Sequence, residues 1–205
     1  AQYLDVETNE LSVNYFLRGK MDDDPEIRPA IYLVENLENG AGYTNHLGSM
    51  PDSEKYKAFI EPLLEGGYVY EKLVAENHRK KCDCSCYDCL RDYYNQQSHS
   101  ILNWRLGLDL AHISADKNYI PQYGDGYWKE VVDTCLKGFI HENPNTKTNE
   151  KDGIIYVEND ELKFALVHPL WSSTYIESKV NVDEYPPVFV TQFLRNFGND
   201  TVGKK

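Results

Sequence analysis

Four of the five cysteines in this 205-residue chain lie within eight residues, in the segment CDCSCYDC at positions 82–89. Disulfide-stabilised proteins spread their cysteines, because a bridge contributes most when it closes a long loop. A bridge from residue i to residue i+2 closes almost no loop and strains the bond geometry. Four thiolates this close together can instead bind one tetrahedral metal ion. We therefore predict a metal site formed by Cys82, Cys84, Cys86 and Cys89.

The identity of the metal follows less directly from the cysteines than its presence. Zinc bound by four sulfur atoms is the usual structural solution, and an iron–sulfur cluster or no metal at all are the alternatives. A zinc ion with four thiolates has no open position for water, so such a site is structural rather than catalytic. His99 is an alternative ligand ten residues after Cys89. A lone histidine at this position is better explained as a residue on a helix surface, or as one that contacts a ligand without contacting the metal.

Basic residues flank the cysteine segment on both sides. They are Arg79, Lys80, Lys81 and Arg91. One interpretation is a contact with the phosphates of a nucleic acid. The other is charge balance, because Zn²⁺ with four thiolates carries a formal charge of 2− and Asp83 and Asp88 add to it. We favour charge balance and keep the nucleic-acid contact as the alternative.

Charge and hydropathy exclude several classes of protein. The chain has 33 acidic and 21 basic residues, which gives a formal net charge of −12. A protein that clamps DNA by its overall charge is basic, so any nucleic-acid contact is expected to be local. The longest apolar run is five residues, at 30–34. A membrane span needs about 20 residues, and no signal peptide opens the chain, so we expect a cytoplasmic protein without a membrane partner.

The hydrophobic pattern predicts an α+β fold. Short apolar runs predict strands at 12–18, 28–35, 153–158, 162–171 and 187–194, the last one a strand or a strand that continues into a helix. Apolar residues at helical spacing predict helices over 53–64, 68–80, 92–113 and 127–140. Cys135 lies on the apolar face of the last of these helices and is expected to be buried and unreactive. We expect a mixed sheet with helices packed around the cysteine loop, in a single domain over 1–205 with an exposed polar loop near 141–152.

Two glycine-rich segments resemble phosphate-binding loops only in part. The segment NGAGY at 39–43 follows a predicted strand, where backbone N–H groups could approach a phosphate. It lacks the full dinucleotide-binding pattern, so a tight turn without ligand is the more common explanation. The segment GNDTVGK at 198–204 imitates a Walker A motif without the following Ser or Thr. We interpret that match as coincidence.

Two further patterns could carry chemistry. Asp152 with Glu161 and Lys163 resembles the Mg²⁺-binding acids and lysine of a restriction-type nuclease, but the predicted hairpin places Glu161 at a turn. His168 stands at a predicted strand end in the segment HPLW, at 168–171. A single histidine without a partner motif is more often structural than catalytic.

Four segments resemble one known domain in kind and order. They are LENGAGY at 37–43, CDCSCYDCLRDYYNQQSH at 82–99, LGLDL at 106–110 and VHPLW at 167–171. That domain is the zinc-binding C-terminal module of mitomycin-repair-type DEAD/DEAH-box helicases, which has related copies in anti-phage helicase-like proteins. The resemblance runs from about residue 3 to about residue 195, and the cysteine segment is its most specific part.

The resemblance implies a function as well as a metal. It implies zinc at Cys82, Cys84, Cys86 and Cys89, in a module that follows the two motor lobes of a superfamily-2 translocase acting on DNA. No catalytic residues come with it, and the chain has neither a valid Walker A motif nor a D-E-x-H motif. We therefore expect a non-enzymatic accessory module, the C-terminal part of a larger helicase-like protein or separately encoded.

The expected role is DNA handling or docking, in DNA repair or phage defence. The expected partners are the helicase motor lobes, in cis or in trans, and DNA. The alternatives are a protein–protein interaction module of a defence complex and a Mg²⁺-dependent nuclease-like domain.

Overall fold

The computed structural model describes residues 4–18, 28–37 and 40–197. The chain divides into two compact units, Ala1–Pro62 and Leu63–Lys205, where the sequence predicts a single domain over 1–205. Each unit is described by itself below.

The first unit contains an antiparallel strand pair and short helices. Its elements are a 3₁₀ helix at Thr8–Glu10, strands β1 (Leu11–Arg18) and β2 (Arg28–Glu35), and helices α1 (Tyr43–Ser49) and α2 (Asp52–Phe59). The strands pair from Leu11 opposite Glu35 to Arg18 opposite Arg28. Both predicted strands are confirmed. The predicted helix 53–64 ends early, at Phe59, because Pro62 lacks an N–H group and disfavours helical geometry just before it. A 3₁₀ turn follows at Glu61–Leu63.

The second unit contains six α-helices among its described residues. They are α3 (Tyr68–Val74), α4 (Glu76–Arg79), α5 (Trp104–Ala115), α6 (Gly126–Glu142), α7 (Ser173–Lys179) and α8 (Val190–Phe197). The predicted helix 68–80 is wrong as one helix, because Ala75 has an extended ψ of 137° and separates α3 from α4. The predicted helix 92–113 divides into a 3₁₀ helix at Tyr93–Ser98 and α5. Asn103 starts α5 by accepting the Arg105 N–H at 3.0 Å. The predicted helix 127–140 is confirmed by α6.

A mixed four-stranded sheet completes the second unit and confirms the α+β class. Its strands are β3 (Lys147–Lys151), β4 (Ile154–Glu158), β5 (Lys163–Val167) and β6 (Pro187–Phe189), in the order β3-β4-β5-β6. The first two pairings are antiparallel, and β5 with β6 is parallel. The predicted β4–β5 hairpin and the strand that continues into a helix are both confirmed.

Strand β3 corrects the predicted loop at 141–152. Every residue of β3 is exposed, because it is an edge strand that pairs only with β4. Its sequence, KTNEK, has no apolar face, so the alternation that identifies half-buried strands is missing. Asp152 and Gly153 follow it with φ of 54° and 74°. These left-handed conformations match the two-residue turn that joins antiparallel strands.

The main core of the second unit lies between the sheet and the helices α6 and α8. Trp128 and Phe139 of α6 and Phe193 of α8 are fully buried there against strand residues such as Val157. Cys135 lies in the same core, as predicted from the sequence. Burial raises the pKa of its thiol to about 12, so it stays protonated and weakly nucleophilic at neutral pH.

A buried polar network joins α5 and α6 to the end of β5. Asp109 is 0% exposed and accepts hydrogen bonds from the Tyr127 hydroxyl, from Trp128 Nε1 at 2.8 Å and from His168 Nε2 at 3.0 Å. His168 Nδ1 accepts the Leu170 N–H at 3.1 Å, so the imidazole is neutral and Nε2 carries the proton. Three donors and a carboxylate are thus mutually satisfied in the core, which confirms a structural role for His168.

We expect Asp109→Asn to lower the free energy of unfolding by about 2–4 kcal/mol. Trp128 and His168 both donate to Asp109 Oδ2 and the Tyr127 hydroxyl donates to Oδ1. An amide oxygen is a weaker acceptor than a carboxylate oxygen, and the amide NH₂ would replace the acceptor that faces Tyr127, so all three hydrogen bonds are weakened or lost. Asp133→Asn is the matched control, since Asp133 forms only a surface ion pair with Lys129 at 3.4 Å. That change should cost less than about 0.5 kcal/mol. Urea denaturation measures both, and equal stability of the two variants would contradict the prediction.

Candidate metal centre and adjoining cleft

Four side chains of the second unit converge on one point. The ligand atoms of His78, Cys82, Cys86 and Cys89 all lie within 4.8 Å of one another. Cys89 Sγ lies 3.7 Å from Cys82 Sγ and 3.6 Å from Cys86 Sγ, and His78 Nε2 lies 3.6 Å from Cys86 Sγ. A tetrahedral zinc ion with Zn–S bonds of about 2.3 Å and a Zn–N bond of about 2.0 Å has ligand–ligand edges of about 3.5–3.8 Å. The donor set and its spacing therefore fit zinc.

The orientation of His78 supports the same conclusion. Its Nδ1 lies 2.8 Å from the carbonyl oxygen of Leu73. A carbonyl only accepts, so Nδ1 carries the proton and the lone pair is on Nε2, the atom that faces the cysteines. The ring also packs edge-on against Trp104, with the centroids 5.4 Å apart. A hydrogen bond from the second ring nitrogen to a backbone carbonyl is a usual way in which a protein orients a metal-binding imidazole.

The cysteine turn is shaped to hold sulfur ligands. The backbone N–H of Cys86 donates to Cys89 Sγ at 3.1 Å, and the N–H groups of Cys89, Leu90 and Arg91 all donate to the Cys86 carbonyl. Burial raises the pKa of Cys82, and the neighbouring Cys89 adds to the effect. Burial raises the pKa of Cys89 as well. A metal ion that binds here must therefore displace protons from the thiols.

The structure brings together three of the four predicted cysteines and adds His78. Cys84 lies outside the group, because the chain bends at Asp83 and Cys84, and Cys84 instead lines the cleft described below. His99, the alternative ligand, lies elsewhere, with Nε2 at 2.8 Å from Asn95 Oδ1. The His78 signal was present in the sequence as H-x₃-C, a spacing of four residues that spans one helical turn. The four closely spaced cysteines already make up a complete ligand set, so the sequence pattern did not call for a histidine ligand.

Helix α5 holds the cysteine loop through three consecutive carbonyl groups. Trp104 Nε1 donates to the carbonyl of Cys82 at 3.2 Å, and the Trp104 N–H donates to that of Cys84 at 3.0 Å. The Asp83 carbonyl accepts from Arg105 Nη1. Burial lowers the pKa of Arg105 to about 10, so the guanidinium remains charged at neutral pH. The loop backbone is thus fixed at the start of α5.

A cleft of about 910 Å³ opens beside this loop. Six basic residues line it, namely Arg79, Lys80, Lys81, Arg91, Arg105 and Arg195. The acidic residues of its lining are Asp83 and Glu130. The four basic residues predicted to flank the cysteines therefore share one cleft. Cys84 and the buried Cys135 also contribute to its wall.

The glycine-rich turn in the first unit is filled by the protein's own carboxylate. Glu35 accepts hydrogen bonds from the N–H groups of Ala41, Gly42 (2.9 Å) and Thr44 (2.7 Å), and from the Thr44 hydroxyl at 2.9 Å. The Thr44 N–H makes the largest contribution to lowering the pKa of Glu35. The N–H groups that the sequence suggested for a phosphate therefore bind Glu35, which agrees with the interpretation as a turn.

The nuclease pattern is not assembled at one place. Asp152 lies in the turn before β4, and Glu161 lies in the turn after it, as the predicted hairpin implied. A five-residue strand is about 17 Å long, too far for two carboxylates to share one Mg²⁺ ion. Lys163 pairs with Glu158 at 3.1 Å. The Walker-like segment 198–204 lies outside the described residues.

The ligand set makes a direct prediction about metal content. Cys86→Ser should leave less than half of the zinc of the parent protein, because one of the three sulfur ligands is lost. Cys84→Ser is the matched control and should keep about one zinc ion per chain. His78→Cys should also keep zinc, whereas His78→Ala should lose it. Mass spectrometry of the purified chains measures the metal, and loss of zinc in Cys84→Ser but not in His78→Ala would contradict this ligand set.

Comparison of the chain with protein-family models, with curated proteins and with solved structures finds no match. No helix within residues 4–18, 28–37 and 40–197 is long and apolar enough to cross a membrane. The assignment of a function therefore rests on the metal centre and on the cleft beside it.

Proposed function

We propose that the unit beginning at Leu63 is a non-catalytic module held together by one structural zinc ion. The convergence of His78, Cys82, Cys86 and Cys89 within 4.8 Å carries this proposal. Four protein ligands fill a tetrahedral shell and leave no position for a reacting water. Three thiolates and one imidazole are a usual ligand set for zinc, whereas iron–sulfur clusters are usually held by four thiolates. When bound, the ion supplies cross-linking rather than reaction chemistry.

The ion would cross-link segments that are otherwise held by a small hydrophobic cluster, whose buried members are Leu73, Cys82, Trp104 and Leu108. Helix α4 supplies only four residues, and His78 is among them. The loop that follows supplies the three sulfur atoms and is in turn bonded to α5 through Trp104 and Arg105. Zinc binding in small domains contributes roughly 10–16 kcal/mol of apparent free energy, which is enough to decide whether such a region folds.

The proposed role is that of an accessory module of a superfamily-2 DNA helicase or translocase, in DNA repair or phage defence. The likeness of segments 37–43, 82–99, 106–110 and 167–171 to such modules supports it. The basic lining of the cleft supports contact with DNA, because the rest of the chain is strongly acidic. The motor lobes of the helicase are the proposed protein partners, in cis or in trans, and the cytoplasm is the proposed location.

A docking module of a defence complex is the second candidate. Tyr87, Tyr93, Tyr94 and Ile101 are large apolar side chains near the cysteine loop in sequence, and each is more than half exposed. Exposed aromatic side chains are frequent anchors of protein–protein interfaces. This observation favours a partner protein, whereas the basic cleft favours DNA.

We expect removal of zinc to unfold the region around the metal. Incubation with a strong chelator should abolish the hydrogen-exchange protection of 68–115, and added Zn²⁺ but not Mg²⁺ should restore it. Cys84→Ser should behave like the parent protein in the same experiment. Full protection after complete loss of the metal would contradict the structural role.

We expect the zinc-loaded chain to show no nuclease or ATPase activity. Single-stranded and duplex DNA should remain intact in the presence of Mg²⁺, and ATP should not be hydrolysed. Mg²⁺-dependent cleavage that is lost in Glu161→Ala and retained in the exposed control Glu177→Ala would contradict the proposal and support the nuclease alternative. Cleavage that survives both substitutions and co-purifies with the chain would also contradict the absence of nuclease activity, but would exclude Glu161 as its source.

A further inference from the structure

The cleft concentrates positive charge that the rest of the chain lacks. It holds six of the 21 basic residues of the protein but only two of the 33 acidic residues. In a chain with a formal net charge of −12, this distribution makes the cleft a local site of opposite sign. Charge complementarity therefore points to an anionic occupant.

The side chains of the cleft differ in how far the protein uses them. Arg105 is buried and donates to the carbonyl groups of Tyr127 and Asp83, so it forms part of the floor. Arg91 donates its Nε to the hydroxyl of Ser85 at 2.9 Å, which fixes the guanidinium in the wall. The positions of both cations are therefore set by the fold before any ligand arrives.

Arg79 carries an unused donor. Its Nε is buried and has no hydrogen-bond partner within the described part of the chain. Its Nη1 lies 3.7 Å from the Glu130 carboxylate, a long ion pair that leaves donors of the guanidinium unsatisfied. The Nε is itself closed to solvent, but the Arg79 side chain is 28% exposed, so an acceptor from outside can meet the accessible part of this cation. A phosphate oxygen is the acceptor that guanidinium groups match best.

The ligand set of the metal weakens the charge-balance explanation for the basic residues. Three thiolates and a neutral imidazole leave Zn²⁺ with a net charge of 1−, instead of 2− for four thiolates. The metal centre therefore needs less positive charge from the flanking residues than a site with four cysteine ligands would need.

An exposed aromatic ring borders the cleft. Tyr87 is 69% exposed, and its ring lies edge-on to that of His99, which lines the cleft, at 5.6 Å between centroids. Cys86 and Cys89 hold the backbone on either side of Tyr87, so the ring is displayed from a fixed loop. Tyr93 and Tyr94 follow the cleft residue Arg91 and are 74% and 80% exposed. Exposed aromatic rings beside a basic groove are the features with which proteins bind single strands.

We propose that this cleft binds single-stranded nucleic acid, with Arg79, Lys80, Lys81 and Arg91 contacting the phosphates and Tyr87 stacking on a base. The proposal rests on the proposed function of the module and specifies the form of nucleic acid that it takes. In a duplex the bases are already stacked on one another and cannot pack on Tyr87. Single strands therefore gain both the charge contacts and the stacking contact, whereas duplexes gain only the first.

The binding should be strongly dependent on salt. Four phosphate contacts to a single strand predict a slope of about −3 in a plot of log K against log salt concentration. Between about 50 mM and 200 mM salt, the affinity should therefore fall about 50-fold.

The test uses the full zinc-loaded chain and a fluorescent oligothymidylate of about 15 nucleotides, followed by anisotropy. Lys80→Glu/Lys81→Glu should weaken binding by at least about tenfold and reduce the salt slope by about 1. Lys147→Glu/Lys151→Glu makes the same change of charge on the exposed strand β3, outside the cleft, and should weaken binding less than about threefold. Zinc content is measured for each variant, because Lys81 precedes a metal ligand.

Tyr87 tests the stacking contact separately. Tyr87→Ala should weaken binding to the oligothymidylate about tenfold, while Tyr87→Phe keeps the ring and should bind like the parent protein. An oligouridylate of the same length distinguishes RNA from DNA, and either supports the proposal. A DNA duplex of the same length should bind at least about tenfold more weakly than the single strand.

Several results would overturn the proposal. Equal weakening by the cleft and β3 charge reversals would show an unspecific charge effect. Equal binding of duplex and single strand, with no effect of Tyr87→Ala, would remove the single-strand preference. Competition by polyglutamate as strong as by the oligonucleotide would identify an acidic protein partner instead. Absence of binding by a folded chain with one zinc ion overturns the cleft proposal alone, whereas a folded chain without zinc overturns the proposed function.

Discussion

The convergence of His78, Cys82, Cys86 and Cys89 on one point is the constraint on which the proposed metal centre of the second unit depends. Three thiols and an imidazole, of which Cys82 and His78 are buried, have little reason to gather in one loop unless they bind an ion. A bound metal would fix the side chains of the loop. Its backbone is already fixed, because its carbonyl groups accept hydrogen bonds from Trp104 and Arg105. The free energy of metal binding would therefore stabilise α5, a helix of 12 residues, as well as the short loop.

Helix α5 connects the metal centre to the core of the sheet. Arg105 and Asp109 are one helical turn apart, and both bind Tyr127 of α6, through its carbonyl and its hydroxyl respectively. Asp109 then reaches His168 at the end of β5. A continuous set of hydrogen bonds therefore joins the cysteine loop, through α5 and Tyr127, to the end of β5. The cleft wall belongs to the same loop, so the proposed zinc ion would shape the proposed binding surface without contacting the ligand.

The sequence predicts some parts of this arrangement better than others, for physical reasons. Dense cysteines identify the metal loop, because few other chemistries tolerate thiols two residues apart. They do not identify the ligands, since a bend at 83–84 keeps Cys84 out of the group and His78 comes from a separate helix. Apolar periodicity found α6, β4 and β5, whose buried faces are continuous. It could not find β3, which is exposed along its whole length, or the break at Ala75.

Extended X-ray absorption fine structure at the zinc edge of the purified chain tests the central claim most directly. The ligand set predicts a first shell of three sulfur atoms at about 2.3 Å and one nitrogen at about 2.0 Å, with the outer-shell scattering of an imidazole. His78→Cys should convert this spectrum to four sulfur atoms. A shell of four sulfur atoms in the parent protein would instead support coordination by Cys84, and bound iron with sulfide would contradict the zinc centre altogether.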